Sequence, residues 1–307
     1  MSVFTPLTDA QIATVLAGAG RQLVSATPAE HGMENSNFLL RAVDADQQQA
    51  DCVLTVFEAT PAELLPWFCQ LLDTLAAAGL PVPAPLAVDG ERVLTVAGKP
   101  ALLVPWLPGQ HPRTADAPQC RTIGAALATL HNTPFPSEHP HQQDATGLQA
   151  LVPAIAALPR LRQRAADLWQ RWQQLSLPRT LIHGDLFRDN SLFRGDTLTG
   201  LLDFYAAGHG PALFDLAVCL NDWCMPGGQR DAALEAALLA GYNGQRPLAI
   251  DEREHLHTAR CVAALRFWLS RLEARQRHRA AGDPDLVLSK DPAECEHWLA
   301  TLLDSPA

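Results

Sequence analysis

One short stretch of the chain concentrates the side chains that could carry out a reaction. Asp185 follows an apolar run, Asn190 comes five residues later, and Asp203 follows a second apolar run after a turn at Gly195 and Asp196. This spacing predicts that two carboxylates and an amide lie at one end of a small sheet. Magnesium prefers a few protein oxygens together with substrate phosphates, so Asn190 and Asp203 suit it as ligands. Asp185 is then left to accept a proton from an attacking hydroxyl.

This trio of side chains matches what phosphoryl transfer requires. In that reaction a metal bridges the β- and γ-phosphates of a nucleotide, and a carboxylate aims the nucleophile. Protein kinases place four residues between their catalytic Asp and their metal-binding Asn, and Asp185 and Asn190 have this spacing. The chain contains no Walker A motif, which disfavours the other large class of nucleotide-dependent enzymes.

The composition limits the possible partners of the chain. Its 33 acidic and 23 basic residues give a formal net charge of -10, the wrong sign for binding the phosphate backbone of nucleic acids or an anionic lipid surface. No apolar stretch approaches the roughly 18 residues that span a bilayer. The seven cysteines include no CxxC pair, so we expect reduced thiols in a cytoplasmic protein.

The hydrophobic patterns predict an α+β chain whose first third is rich in strands. Residues 37–41 and 52–57 read as a hairpin, and a helix should begin at Pro61 with Thr60 as its N-cap. Helical periodicity dominates after residue 109, interrupted by strands only between residues 181 and 204. The arginine run at residues 271–279 is expected to form a solvated helix face. We therefore predict a sheet-rich nucleotide-binding lobe at 1–104 and a helical lobe at 105–307 that carries the catalytic loop and the substrate site.

Residues 183–190, together with residues 202–205, resemble the signature of the aminoglycoside phosphotransferase and choline kinase superfamily. More narrowly, the chain resembles the homoserine kinase family within it, which some bacteria have in place of a commoner, unrelated type. The resemblance runs nearly end to end. The further segments that carry it are residues 1–7, 34–38, 53–55, 98–101, 214–217, 220–224 and 266–271.

The resemblance implies a protein-kinase-like, two-lobed fold and gives a role to each candidate residue. Asp185 becomes the catalytic base, while Asn190 and Asp203 hold Mg²⁺. The turn at residues 32–38 covers the phosphates of ATP, and the backbone of residues 104–107 meets the adenine. The nucleotide-binding residues implied in this way are Asn35, Ser36, Asn37, Thr55, Val104, Trp106 and Leu107. The implied reaction converts ATP and L-homoserine to ADP and O-phospho-L-homoserine, a step toward threonine.

Thr55 departs from the pattern of the wider superfamily, which has a phosphate-binding lysine on this strand. The homoserine kinase branch also tends to have threonine there, so the departure agrees with the narrower resemblance. It leaves the group that neutralises the phosphates open, with Lys99 and Arg41 as candidates.

Homoserine would present a carboxylate and an ammonium besides its hydroxyl. A planar, bidentate guanidinium suits the carboxylate. Arg188, three residues after the base, and Arg266, on a predicted long helix, are candidates for the carboxylate, and Asp222 is a candidate for the ammonium. Two other functions stay open: a kinase of the same fold acting on an aminoglycoside, choline or another amino alcohol, and an inactive nucleotide-binding module.

Overall fold

The computed structural model describes residues 5–29, 35–135, 162–280 and 291–304. The chain divides into two compact units, Met1–Gly109 with Thr199–Leu202, and Gln110–Leu198 with Asp203–Ala307. The main division thus falls five residues beyond the position predicted from the sequence, and a short piece after Leu198 joins the first unit.

The first unit contains a five-stranded antiparallel sheet in the order β1-β2-β3-β5-β4. The predicted hairpin of residues 37–41 and 52–57 is confirmed as the β2–β3 pair. The elements of this unit are α1 (Asp9–Gly18), β1 (Gln22–Pro28), β2 (Asn35–Val43), β3 (Cys52–Phe57), α2 (Leu65–Ala77), β4 (Leu94–Val96) and β5 (Lys99–Pro105).

Alternation of side chains along the strands gives this sheet two different faces. On one face, which we call the core face, Phe38, Leu54 and Leu103 form a buried cluster with Ile12 and Leu16 of α1. On the other, which we call the opposite face, Asn37 pairs with Thr55 and Thr55 pairs with Leu102 in register. A residue's place in the register therefore decides which face it can serve.

Helix α2 begins later than the sequence pattern predicts. Thr60 was expected to cap a helix starting at Pro61, but a single 3₁₀ turn covers Ala62–Leu64 and the α-helix starts at Leu65. Pro66 explains the delay, because it has no N–H to donate to the carbonyl of Ala62. The first α-helical turn is the place where that missing donor costs least.

The elements from Ala117 onward are mostly helical, as predicted. They are α3 (Ala117–Asn132), α4 (Arg162–Gln173), β6 (Arg179–Ile182), β7 (Ser191–Arg194), β8 (Thr197–Leu201), β9 (Gly208–Pro211), α5 (Ala212–Trp223), α6 (Ala232–Gln245), α7 (Ile250–Ala280) and α8 (Pro292–Asp304). Strands β6 and β9 form one two-stranded sheet, and β7 and β8 form another. All residues of α5 are buried, so this helix is the centre of the second unit.

All seven cysteines are buried, and none is paired in a disulfide. Burial raises the pKa of the Cys261 thiol to about 11, so this group is protonated and unreactive near neutral pH. Within the ranges that the structure describes, no helix is both long and apolar enough to cross a membrane.

Candidate active site

The loop that carries Asp185 leaves strand β6 through a tight glycine turn. Ile182 pairs with Gly208 of β9, and the chain then turns at Gly184, whose φ is +79°. A Cβ atom at this position would lie 2.7 Å from the carbonyl oxygen of Ala206. Only glycine satisfies both the left-handed backbone and this close approach.

The same packing brings the segment of Asp203 against the loop of Asp185. The rings of His183 and Phe204 lie with their centroids 4.5 Å apart. Phe204 directly follows Asp203 and opens the 3₁₀ turn Phe204–Ala206, against which Gly184 packs. The two predicted carboxylates therefore come from neighbouring segments of the second unit.

Asn190 is hydrogen-bonded to the predicted base. Its side-chain Nδ2 donates to the Asp185 carbonyl at 2.7 Å and to the Asp185 carboxylate Oδ2 at 3.2 Å. Both bonds use the amide nitrogen, so the amide oxygen accepts no hydrogen bond within the described residues. That oxygen is the atom a metal ion needs from an asparagine.

Asp203 has a left-handed backbone, with φ 61° and ψ 63°. Non-glycine residues seldom take this conformation, although aspartate tolerates it better than most. In the described part of the chain, no three His, Cys, Asp or Glu side chains are grouped to hold a metal on their own. A site of one carboxylate and one amide oxygen fits a metal that also takes phosphate oxygens as ligands.

Asp215, on α5, fixes the loop from behind. Its buried carboxylate accepts hydrogen bonds from the backbone N–H groups of His183 at 2.6 Å and Gly184 at 2.8 Å. His131 of α3 lies 3.2 Å away through Nε2. Burial alone would raise the pKa of Asp215, but the hydrogen bond and charge of His131, together with those of His183, outweigh it and hold the pKa below its usual value.

A chain of buried polar groups continues from His131. Its Nδ1 lies 2.7 Å from the Tyr242 hydroxyl, which accepts a hydrogen bond from Arg246 at 3.0 Å. Arg246 in turn makes a two-pronged ion pair with Glu252, at 2.8 and 3.2 Å. The sequence analysis missed these residues because His131 lies more than 110 residues before Tyr242, and only the packing of α3 against α6 brings the two together. The presence of His131 on the apolar face of a predicted helix was the only available signal.

Arg188 and Asp222, which were expected to bind the substrate, bind each other. The Asp222 carboxylate accepts from the Arg188 backbone N–H at 2.7 Å, from Nε at 3.0 Å and from Nη2 at 3.3 Å. The remaining nitrogen, Nη1, donates to the carbonyl of Arg113 at 2.9 Å. These contacts make the pair an anchor for the catalytic loop, because they use both carboxylate oxygens and all three guanidinium nitrogens.

Arg266, the third residue expected at the substrate, lies near the predicted base. Burial lowers the pKa of its guanidinium, and the Asp185 carboxylate partly offsets this effect. The guanidinium also stacks on the ring of Phe267, with its central carbon 4.3 Å from the ring centroid. The positive charge of Arg266 therefore interacts electrostatically with Asp185.

In the first unit, the predicted nucleotide-binding residues fall on both faces of the sheet. Thr55 and Asn37 share the opposite face, where the Thr55 hydroxyl donates to the Asn37 side-chain oxygen at 2.7 Å. Asn35 lies further along β2 on that face, and its side-chain oxygen accepts from the Glu58 N–H at 3.4 Å. Ser36 is on the core face, and its hydroxyl donates to Glu58 at 2.5 Å. The rest of the expected phosphate turn, residues 32–34, lies outside the described residues.

Neither cation proposed for the phosphates lies beside Thr55. Lys99 is on the core face, where its ammonium binds Glu58 and donates to Thr5 at 2.9 Å. Arg41 is on the opposite face but four residues from Asn37 along β2, where it pairs with Asp51 at 3.4 Å. Among the described residues of the first unit, no lysine or arginine lies next to Thr55 in the strand register.

The linker after β5 offers fewer backbone groups than expected. The N–H of Trp106 donates to the carbonyl of Asp51 at 3.0 Å, so it is not available to an adenine. The N–H of Leu107 makes no hydrogen bond within the described residues. Val104 is still in the strand, in register with Val53.

A sequence profile of the phosphotransferase enzyme family matches residues 25–256. The homoserine kinase of Pseudomonas aeruginosa strain LESB58 is 42% identical over 316 aligned residues, which cover 98% of this chain and 96% of the relative. The homoserine kinase of Polaromonas naphthalenivorans strain CJ2 is 36% identical and covers 100% and 99%. The chain therefore belongs to the phosphotransferase enzyme family and, within it, to the homoserine kinases.

Solved structures agree with this assignment at the level of the fold. An amicoumacin kinase in complex with AMP-PNP, Ca²⁺ and Ami superposes with a TM-score of 0.67 at 16% identity, covering 96% of this chain and 92% of that structure. This likeness confirms the predicted kinase-like α+β fold.

Proposed function

We propose that this protein transfers the γ-phosphate of ATP to the side-chain hydroxyl of L-homoserine, giving O-phospho-L-homoserine for threonine biosynthesis. The observation that carries the proposal is the Asp185–Asn190 pair, held by Asp215 and packed beside the segment of Asp203. The choice of homoserine as the acceptor rests on the chain's membership of the homoserine kinases. With its seven reduced thiols, we expect the protein to work in the cytoplasm.

In the second unit, Asp185 accepts the proton of the attacking hydroxyl. The Asn190 amide oxygen and the Asp203 carboxylate would hold Mg²⁺, which when bound supplies neutralising charge to the β- and γ-phosphates. Asn190 also donates to Asp185, so it restrains the base and serves the metal at once. Arg266 adds a positive charge that interacts with Asp185.

In the first unit, we assign the phosphates to the opposite face of the sheet. Asn35, Asn37 and Thr55 lie there, and the hydrogen bond from Thr55 engages the side-chain oxygen of Asn37, which leaves the side-chain nitrogen without a hydrogen bond within the described residues. The N–H of Leu107 is our candidate for the adenine, since the Trp106 N–H is already bonded. The side chain of Ser36 has no part in this assignment, because it is fully buried on the core face.

The test measures ADP release with homoserine, serine, choline and kanamycin in parallel. We expect turnover with homoserine, and its absence would refute the proposed acceptor. Asp185→Asn should lower kcat by about 10²- to 10⁴-fold, the usual contribution of a positioned base, with a smaller change in ATP affinity. Asp196→Asn, which alters an exposed carboxylate in the β7–β8 turn, is the matched control. Unchanged kcat in Asp185→Asn would show that the base is assigned wrongly.

A further inference from the structure

A cavity of about 230 Å³ lies directly beside the catalytic loop, within the second unit. Three consecutive loop residues line it, beginning two positions after Asp185. The full lining is His111, Pro112, Arg113, Phe187, Arg188, Asp189, Asp222, Arg271 and Glu294. Pockets for drug-sized ligands usually measure about 300–1,000 Å³, so this one suits a smaller molecule.

The lining carries three arginines and three carboxylates, and four of these six side chains form two ion pairs. Arg188 pairs with Asp222 at 3.0 Å, and Arg271 pairs with Glu294 at 2.9 Å. A polycationic ligand would need a predominantly acidic wall, and a phosphorylated one would need a predominantly basic wall. A wall with paired charges of both signs is complementary to a zwitterion.

The two ion pairs differ in how many of their donor and acceptor atoms have no hydrogen-bond partner. Each guanidinium nitrogen of Arg188 and each carboxylate oxygen of Asp222 already has a hydrogen-bond partner, although Nη1 and Nη2 of Arg188 each keep a second N–H. Arg271 uses only Nη1, which donates to the Asp291 carbonyl and to Glu294 Oε2, both at 2.9 Å. Its Nε and Nη2, and the Oε1 of Glu294, make no hydrogen bond within the described residues. In the described part of the chain, a guanidinium edge with no hydrogen bond, next to a carboxylate oxygen with none, is therefore found on the Arg271–Glu294 pair.

Arg271 is also held rigidly, unlike the solvated arginine expected from the sequence. Its side chain is 9% exposed, whereas that of Glu294 is 47% exposed. The guanidinium lies over the ring of Trp298, with its central carbon 5.9 Å from the centroid. A guanidinium fixed before the ligand arrives loses little freedom on binding, which favours two parallel hydrogen bonds to a carboxylate.

We infer that this cavity is the acceptor site, in which Nε and Nη2 of Arg271 bind the α-carboxylate of the amino acid and Oε1 of Glu294 binds its α-ammonium. This inference rests on the proposed function and gives it a specificity site. The carboxylate and ammonium of an amino acid are attached to one carbon, so they need a cation and an anion that are neighbours. Arg271 and Glu294 are such neighbours, and the acceptor's side chain is left to extend toward the loop of Asp185.

The test compares homoserine with two analogues that each lack one charged group. 3-Amino-1-propanol lacks the carboxylate, and 4-hydroxybutyrate lacks the ammonium. We measure kcat/KM for homoserine and the inhibition constants of both analogues in the full-length enzyme. Arg271→Gln should lower kcat/KM for homoserine and raise the inhibition constant of 4-hydroxybutyrate. Each change should be on the order of 10- to 100-fold, as expected for lost hydrogen bonds to a charged group. The inhibition constant of 3-amino-1-propanol should change less than about threefold, because that analogue has no carboxylate for Arg271 to bind.

Glu294→Gln should show the reverse pattern. It should lower kcat/KM for homoserine and raise the inhibition constant of 3-amino-1-propanol, and leave that of 4-hydroxybutyrate unchanged. Arg164→Gln is the matched control, since Arg164 makes an exposed ion pair with Asp304 outside the cavity. KM for ATP should stay the same in all three variants. Equal weakening of both analogues in either cavity variant would indicate general distortion and overturn the inference. So would unchanged kcat/KM for homoserine in Arg271→Gln.

These outcomes are separate from a failure of the proposed function. If the unmodified enzyme releases ADP with homoserine but the variants do not discriminate between analogues, only the acceptor site is wrong. If the unmodified enzyme releases ADP with choline or kanamycin and not with homoserine, the proposed acceptor is wrong and the inference falls with it.

Discussion

Replacing Asp215 by asparagine tests how the catalytic loop is held. The carboxylate accepts from Gly184 through Oδ1 and from His183 and His131 through Oδ2. An asparagine in the same place must turn its NH₂ group toward at least one of these donors. Removing one partner of a buried charged network costs about 3–5 kcal/mol. At about 2–4 °C per kcal/mol for a unit of this size, the melting temperature should fall by roughly 6–20 °C.

The pH dependence provides an independent check on the same group. The folded state holds the pKa of Asp215 below its usual value, so its contribution to stability is complete above the ordinary aspartate pKa of about 3.9 and is lost as the pH falls through the lower, folded value. The difference in melting temperature between the original protein and Asp215→Asn should therefore persist from neutral pH down to about pH 4 and shrink below it.

Activity and a control complete this experiment. Loosening the loop should lower kcat about 100-fold, the effect of a displacement near 1 Å at reacting groups. Asp304→Asn removes a carboxylate that is 73% exposed in its pair with Arg164, and such a pair contributes about 0–1 kcal/mol. A melting temperature of Asp215→Asn equal to that of Asp304→Asn would refute the anchoring argument.

Two further substitutions test other parts of the site. Gly184→Ala should lower kcat at least about 100-fold by displacing the loop, because the new Cβ would meet the Ala206 carbonyl. Gly195 has a similar φ but open space around it, so Gly195→Ala should keep its activity. Equal losses of kcat in both variants would contradict the close-approach argument. Lys99→Met should change KM for ATP less than about threefold and stability by about 0–1 kcal/mol, since its partly exposed ion pair lies on the core face. A tenfold rise in KM for ATP would instead show that Lys99 reaches the phosphates.

The catalytic loop was predictable because its chemistry is local. Asp185 and Asn190 are separated by one turn of chain, so their spacing in the sequence fixes their spacing in space. The placement of Asp203 after the next hairpin follows from the same local pattern. Strand β9 was missed for the opposite reason, since its residues Gly208–Pro211 have no strand propensity and pair with β6 only through the tertiary structure.

The residues around the acceptor could not be predicted in the same way. Whether Asp222 faces Arg188 or a ligand depends on how α5 packs behind the loop, which no spacing in the sequence encodes. Arg271 stands at the start of an arginine-rich run and resembles a solvated residue until α8 brings Trp298 and Glu294 against it. The position of Lys99 could have been predicted from the sequence, because counting alternate residues along β5 places it on the same face as Ala101 and Leu103.

The left-handed backbone of Asp203 has a consequence for directed evolution. A β-carbon in that conformation is unfavourable relative to glycine, by about 1–2 kcal/mol for most residues and by less for aspartate. A library selected only for heat tolerance would therefore enrich glycine at this position and discard the carboxylate. Because we assign this carboxylate to the metal, a selection for thermostability in this enzyme should include a measurement of turnover from the first round.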